Sequence, residues 1–355
     1  MALAAERAEA LPLLPWQQLA AFTASTTLHE KIFRLANPII LAIGSFCLLS
    51  LIGHVMTGLA PSLLFLGVSV VSITLSVRKI ASVIIGYACY PAGLFDHRAG
   101  EQLQLNELRR RGFVTQRISL HKSGTTYDAF LVGHRDTIAN QKWSLHALGN
   151  AMAMENVLLD YSLENHTLGL NTLFINGPSV GRSGGFPTRY QMGAGFEAGL
   201  QFLEQKVGAT HIVCKGFSLG GGMIAEAFSE HAFPQQIDNP RYLVISDRSF
   251  NSLSDAATSI IGVFLKPIFF LAGMELDGVA GAERLRAHGI RHIIIQHRNP
   301  DHPDDGVIPD KTALAMHLQE AATRRFLLSP HILHNDVLPD QIWDELDQEI
   351  KNFLG

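Results

Sequence analysis

The stretch His211-Ile212-Val213-Cys214-Lys215-Gly216-Phe217-Ser218-Leu219-Gly220-Gly221-Gly222-Met223-Ile224-Ala225-Glu226-Ala227 decides how this chain is read. An apolar run rich in β-branched residues enters Gly-x-Ser-x-Gly, and helix-forming residues follow at once. That order predicts a strand, a tight turn and a helix. Ser218 is then forced into a strained, exposed position at the turn, and the glycines two before and two after it let strand and helix approach. A second Gly-x-Ser-x-Gly, Gly181-Arg182-Ser183-Gly184-Gly185, follows Asn176-Gly177-Pro178 and precedes Pro187. That copy reads as a crossover loop.

Around the elbow, short apolar runs alternate with amphipathic patterns from about residue 101 to residue 355, the texture of an α/β domain. Strands are expected at Phe113 to His121, Thr126 to Val132, Lys142 to Leu148, Asn171 to Ile175, His211 to Lys215, Arg241 to Ser246, Arg291 to Gln296 and Arg325 to Ser329. Helices are expected at Ala151 to Ser162, Thr188 to Lys206, Gly221 to Phe233, Ser252 to Leu271, Lys311 to Ala322 and Pro339 to Phe353. Eight strands joined by helical crossovers predict a mostly parallel sheet covered on both faces.

A serine hydroxyl becomes a nucleophile when an imidazole takes its proton and a carboxylate fixes the imidazole tautomer. The expected chain order is Ser, acid, His. His334, between the last strand and the last helix, is the expected base, with His331 as the alternative. The loop Gln296 to Pro309 offers acids. Distance from the strand end favours Asp301, whereas the flank Gly306-Val307-Ile308-Pro309 favours Asp305, which is the choice here; Asp247, one strand earlier, is a third route. Backbone N–H donors for an oxyanion are expected from Leu219, directly after the serine, and from Asn150 in the turn Gly149-Asn150-Ala151.

The first hundred residues differ in kind. No Asp, Glu, Lys or Arg occurs from Pro38 to Val77. Spans are expected at Pro38 to Thr57 and Ala60 to Val77, with Gly58 and Pro61 turning the chain between them. Lys31 and Arg34 precede the pair, and Arg78 and Lys79 follow it, which places both termini on the cytoplasmic side. Ile80 to Phe95, broken by Pro91, reads as an interfacial segment. The organisation expected is thus a membrane-associated region over residues 1–100, with its hairpin at 38–77, followed by an α/β domain.

Among the 355 residues, 28 Lys+Arg against 32 Asp+Glu give a net charge of −4, which excludes a nucleic-acid footprint. Three scattered cysteines, Cys47, Cys89 and Cys214, form no metal cage, and neither a metal nor a cofactor is expected.

The elbow Gly216 to Gly221, Gly149-Asn150-Ala151 with Glu155, Asn176-Gly177-Pro178 through Gly185 with Pro187-Thr188, Asp247 to Leu253, and His334-Asn335-Asp336 together resemble the α/β-hydrolase superfamily. More narrowly, residues 105 to 355 are similar to chlamydial CHLPS-type proteins and to hydrolase-like effectors of intracellular bacteria. They are also similar to the membrane-associated acyl-protein thioesterases of eukaryotes. The resemblance implies an α/β-hydrolase fold and a serine hydrolase, and it leaves delivery into a host cell open. The apolar stretch Ala256 to Leu271 favours acyl esters or thioesters of lipids or lipidated proteins as substrates. The alternative function is a catalytically silent hydrolase-fold module that binds a membrane or host proteins.

Overall fold

The structure, a computed structural model, describes residues 21–24, 28–57, 63–97, 99–233, 241–297, 305–319, 323–328 and 332–355. Two long helices, α1 (Leu28–Thr57) and α2 (Leu63–Cys89), pack against each other. Helix α2 runs unbroken through Arg78 and Lys79 and stops only where Pro91 disfavours helix at the residue before it. The interfacial segment expected from Ile80 to Phe95 is therefore the second half of α2 followed by one 3-10 turn, Pro91–Leu94. Lysine and arginine are good helix formers, so two cations mark no helix end. Among the described residues, one helix is long and apolar enough to cross a membrane, and it is Phe65–Cys89; the apolar part of α1, Leu41–Thr57, is shorter. The expected turn residues Gly58 and Pro61 lie outside the described residues.

The remaining elements follow in order: β1 (Ala21–Thr23) precedes the two helices, and α3 (Glu101–Arg110), β2 (Phe113–Lys122), β3 (Thr125–His134), β4 (Lys142–Ala147), α4 (Met154–Thr167), β5 (Asn171–Ile175) and α5 (Arg189–Phe202) follow them. Then come β6 (His211–Phe217), α6 (Leu219–Glu230), β7 (Arg241–Asp247), α7 (Leu253–Ile261), α8 (Leu265–Ala272), α9 (Gly278–Ala287), β8 (Arg291–His297), β9 (Arg324–Leu328) and α10 (Asp340–Leu354). They build one nine-stranded sheet in the order β1-β2-β3-β5-β4-β6-β7-β8-β9. It is parallel except where β3 runs antiparallel to β2 and to β5. Each of the eight expected strands is present. The ninth, β1, adds an edge by pairing in parallel with β2.

Two helical expectations are corrected, and two helices are additional. The stretch Ser252 to Leu271 is two helices, because Gly262 at φ +144° ends α7. The described part of Lys311 to Ala322, through residue 319, holds two 3-10 turns, Asp310–Thr312 and Leu314–His317, in place of a helix. Helices α3 and α9, of ten residues each, were not expected.

Alternate residues of the central strands serve opposite faces, as the two-residue strand period requires. Ile212, Cys214 and Val244 join the core under α5 and α6, whereas Val213, Leu243, Ile245, Ile293 and Ile295 meet Leu346, Ile350 and Phe353 of α10. Those three α10 residues recur at helical spacing, and each fully buried side chain contributes about 1.5–3 kcal/mol.

The structure does not divide at residue 100. Ala81, Ile85, Cys89, Tyr90 and Ala92 pack into the core beneath α5 and α6, and β1 completes the sheet edge. Gly86 rests on Pro187, whose carbonyl oxygen lies 2.0 Å from the place a Cβ would take, so only glycine permits that contact. The second half of α2 is part of the α/β domain.

Candidate active site

Ser218 follows the last residue of β6, the strand between β4 and β7, and so sits at the carboxyl end of the sheet where open α/β folds place their chemistry. Its backbone is at φ 53°, ψ −117°, a conformation costing about 1–3 kcal/mol that only the surroundings sustain. Those surroundings are explicit. The Ser218 N–H donates to the Asp247 carbonyl at 2.8 Å, and the Gly221 N–H donates to the Ser218 carbonyl at 3.0 Å. A Cβ on Gly220 would lie 2.0 Å from the Ala147 carbonyl oxygen, and one on Gly216 would lie 2.8 Å from the Gly221 nitrogen. Both glycines of the elbow are thus required by close backbone approach.

His334 is buried, with its ring centroid 5.2 Å from that of Phe217, the residue before Ser218. Its Nδ1 is 2.8 Å from Asp305 Oδ2, and its backbone N–H donates to the Asp305 carbonyl at 2.7 Å. Asp305 is fully buried. Its Oδ1 accepts from the N–H groups of Val307 at 3.0 Å and Ile308 at 2.6 Å. Burial is the largest influence on this carboxyl and raises its pKa. The hydrogen bond and charge of His334, with the two backbone N–H bonds, outweigh burial and hold it below the ordinary aspartate value.

Asp247 pairs bidentately with Arg248 at 2.8 and 2.9 Å, and burial pushes its pKa up against that pairing. Asp301 and the alternative base His331 lie outside the described residues. Leu219 opens α6, whose first N–H groups have no partner within the helix. The turn carrying Asn150 abuts the elbow, since a Cβ on Gly149 would touch the Phe217 ring at 3.0 Å. The Ala92 N–H donates to the Asn150 carbonyl at 3.2 Å and ties that turn to the chain after α2.

Arg248 is the residue that sequence reasoning passed over. Held at φ 47° and buried, it donates Nη1 to the carbonyls of Leu333 at 3.1 Å and Asp336 at 2.7 Å, and its guanidinium lies 5.1 Å from the Phe217 ring centre. It therefore clamps the loop that carries His334. Asp336 closes the same loop by accepting from the Leu333 N–H at 2.8 Å.

Ser183, in the second Gly-x-Ser-x-Gly, is a buried loop brace. Its Oγ accepts from the Asp128 N–H at 2.9 Å and donates to the Asn176 carbonyl at 3.0 Å. Ser183→Ala leaves both groups without that partner, so a denaturant melt should show about 1–3 kcal/mol of lost stability.

A cavity of about 610 Å³ opens between α4, α10 and the ends of β4, β6 and β7, walled by Leu148, Met152, Phe217, Val337, Leu338 and Trp343. Of the charged groups along it, Lys215 donates to Glu164 at 2.7 Å and to Asn165 at 2.9 Å, Arg248 is bound to Asp247, and Asp160 and Asp336 also line it.

The family described as Chlamydia CHLPS protein (DUF818) matches residues 24–355. The chain belongs to that family. Among solved structures, an alpha-beta hydrolase from Vibrio vulnificus is 14% identical over 77% of this chain and 93% of that one, with a TM-score of 0.56. The Pyrococcus furiosus esterase Pf2001 is 12% identical over 70% of this chain and 91% of that one, with a TM-score of 0.49. A comparison with curated proteins finds no match. The CHLPS-family chain thus has the α/β-hydrolase fold, with Ser218, Asp305 and His334 at the positions described.

Proposed function

We propose that this CHLPS-family chain is a membrane-associated serine hydrolase that cleaves acyl esters or thioesters through Ser218, His334 and Asp305. The observation that carries the reading is the strained elbow serine directly after Phe217, whose ring centroid is 5.2 Å from that of a buried imidazole bonded through Nδ1 to a buried carboxylate. In this mechanism the Ser218 hydroxyl attacks the acyl carbonyl as His334 takes its proton. The N–H groups of Leu219 and Asn150 stabilise the oxyanion, and His334 returns the proton to the departing alcohol or thiol. Water then repeats the sequence on the acyl-enzyme. No step calls for a cofactor.

An acyl substrate is supported by the cavity beside Phe217, which is of ligand size and mostly apolar. Labelling of the purified full chain by a fluorophosphonate probe tests the reading. Labelled Ser218 supports it, and an unlabelled, folded protein points instead to a silent binding module.

Membrane association rests on the α1/α2 pair and on what flanks it. Helix α8 packs against α2, and Ile261, Val263, Phe264, Phe270 and Leu271 at the α7–α8 turn are all exposed. Exposed apolar surface of that extent, continuous with an apolar helix, fits a bilayer better than water. In this reading the first half of α2 lies in the bilayer with α1, Arg78 and Lys79 stand at its surface, and both termini face the cytoplasm. The full chain should stay with membranes through a carbonate wash, read by immunoblot of the pellet. Release into the supernatant would remove the membrane from the proposal.

A further inference from the structure

His134 ends β3, Asp136 lies in the turn after it, and His166 is in the last turn of α4. Because β3 runs antiparallel to β5, this trio sits at the amino ends of the parallel strands, whereas Ser218 sits at their carboxyl ends. We propose that His134, Asp136 and His166 bind one divalent transition metal, with Zn²⁺ as the fitting ion, and that the ion ties the end of α4 to the end of β3. The proposal does not depend on the hydrolase reading.

The geometry is that of a ligand set. One donor atom from each residue lies within 4.8 Å of the others. His166 Nε2 is 3.0 and 3.2 Å from the two Asp136 oxygens, and the two imidazole centroids are 4.1 Å apart. His134 Nε2 is 3.1 Å from the Arg111 carbonyl, and a carbonyl only accepts, so that nitrogen carries the proton. The ring's other nitrogen, Nδ1, faces Asp136 Oδ1. A histidine that gives one nitrogen to a metal and its other N–H to a backbone carbonyl is the usual arrangement in metal sites.

Neighbouring residues hold this orientation. Gly112, at φ +89°, leaves room for His134, since a Cβ there would stand 2.9 Å from Nε2. Phe113 sets its ring edgewise to both imidazoles, at 5.0 and 5.4 Å between centroids. Two imidazoles and one carboxylate suit Zn²⁺, with a fourth tetrahedral position for water. Partial exposure of all three residues gives the ion a path in.

The test is isothermal titration of ZnCl₂ into the EDTA-stripped full chain in detergent micelles at neutral pH, with thermal melts alongside. One equivalent should bind, and Asp136→Ala or His166→Ala should each weaken binding by about tenfold or more. Zn²⁺ should raise the Tm of the unsubstituted chain and leave the Asp136→Ala/His166→Ala double variant unmoved. A double variant whose metal-free Tm matches that of the parent shows that the fold is intact. Two results would overturn the proposal. One is no stoichiometric uptake, which would leave the trio as a hydrogen-bonded cluster that holds no ion. The other is uptake undiminished in the double variant, which would place the ion elsewhere.

Discussion

Ser218→Ala is expected to lower kcat on a soluble acyl ester by about 10⁶-fold and to abolish fluorophosphonate labelling, while Ser183→Ala keeps the label. The size follows from the way triad members act as a unit, since loss of the nucleophile alone removes nearly the whole triad contribution. Ser183 has both its hydrogen bonds committed to the loop, whereas Ser218 sits on the turn whose backbone is held in a strained conformation. That strain gives a second arm to the experiment. Ser218→Gly accepts φ 53° at no steric cost, so it should be equally inactive yet more stable than the parent by about 1 kcal/mol, read from paired denaturant melts. Stability given up at this position is the signature of a residue held for its reactivity. A Ser218→Gly variant less stable than the parent would mean that the side chain supports the fold.

The elbow was legible because its determinants are local: an apolar strand, a serine and closely spaced glycines specify the turn without help from distant residues. Asp305 was legible for a similar reason, since the apolar residues after it place the Val307 and Ile308 N–H groups against its carboxylate. What the sequence hid depends on distant partners. Arg248 looks like a charged residue at a strand end, and its clamp on the His334 loop exists only because the carbonyls of Leu333 and Asp336 arrive there from another part of the chain. The trio of His134, Asp136 and His166 is split across a strand end and a helix end, so no spacing rule reveals it. At the amino-terminal region, charge misled the reading of helix limits. Arg78 and Lys79 mark no helix end, and Ala81, Ile85, Cys89, Tyr90 and Ala92 serve the α/β core.

Asp305→Asn should cost about 10⁴-fold in kcat, the scale seen when the orienting aspartate of a Ser-His-Asp triad is neutralised. The present geometry explains why the loss should be so large. An asparagine carbonyl could still accept from Val307 and Ile308, which leaves its NH₂ facing His334 Nδ1 at the 2.8 Å contact. Nδ1 would then have to accept, the proton would move to Nε2, and the imidazole could no longer take the serine proton. Asp247→Asn leaves that contact untouched and should keep turnover within about tenfold, at a cost in stability from loosening Arg248. The pH dependence has a definite sign. The Asp305 pKa is depressed in the folded chain, so its ionised form adds stability that is fully present above the ordinary aspartate pKa of about 3.9 and fades as pH falls through the folded value. Asp305→Asn should therefore flatten the acid limb of the stability curve measured by melts between pH 3 and 7. If turnover survives in Asp305→Asn but collapses in Asp247→Asn, the orienting acid is Asp247 and Asp305 serves the fold alone.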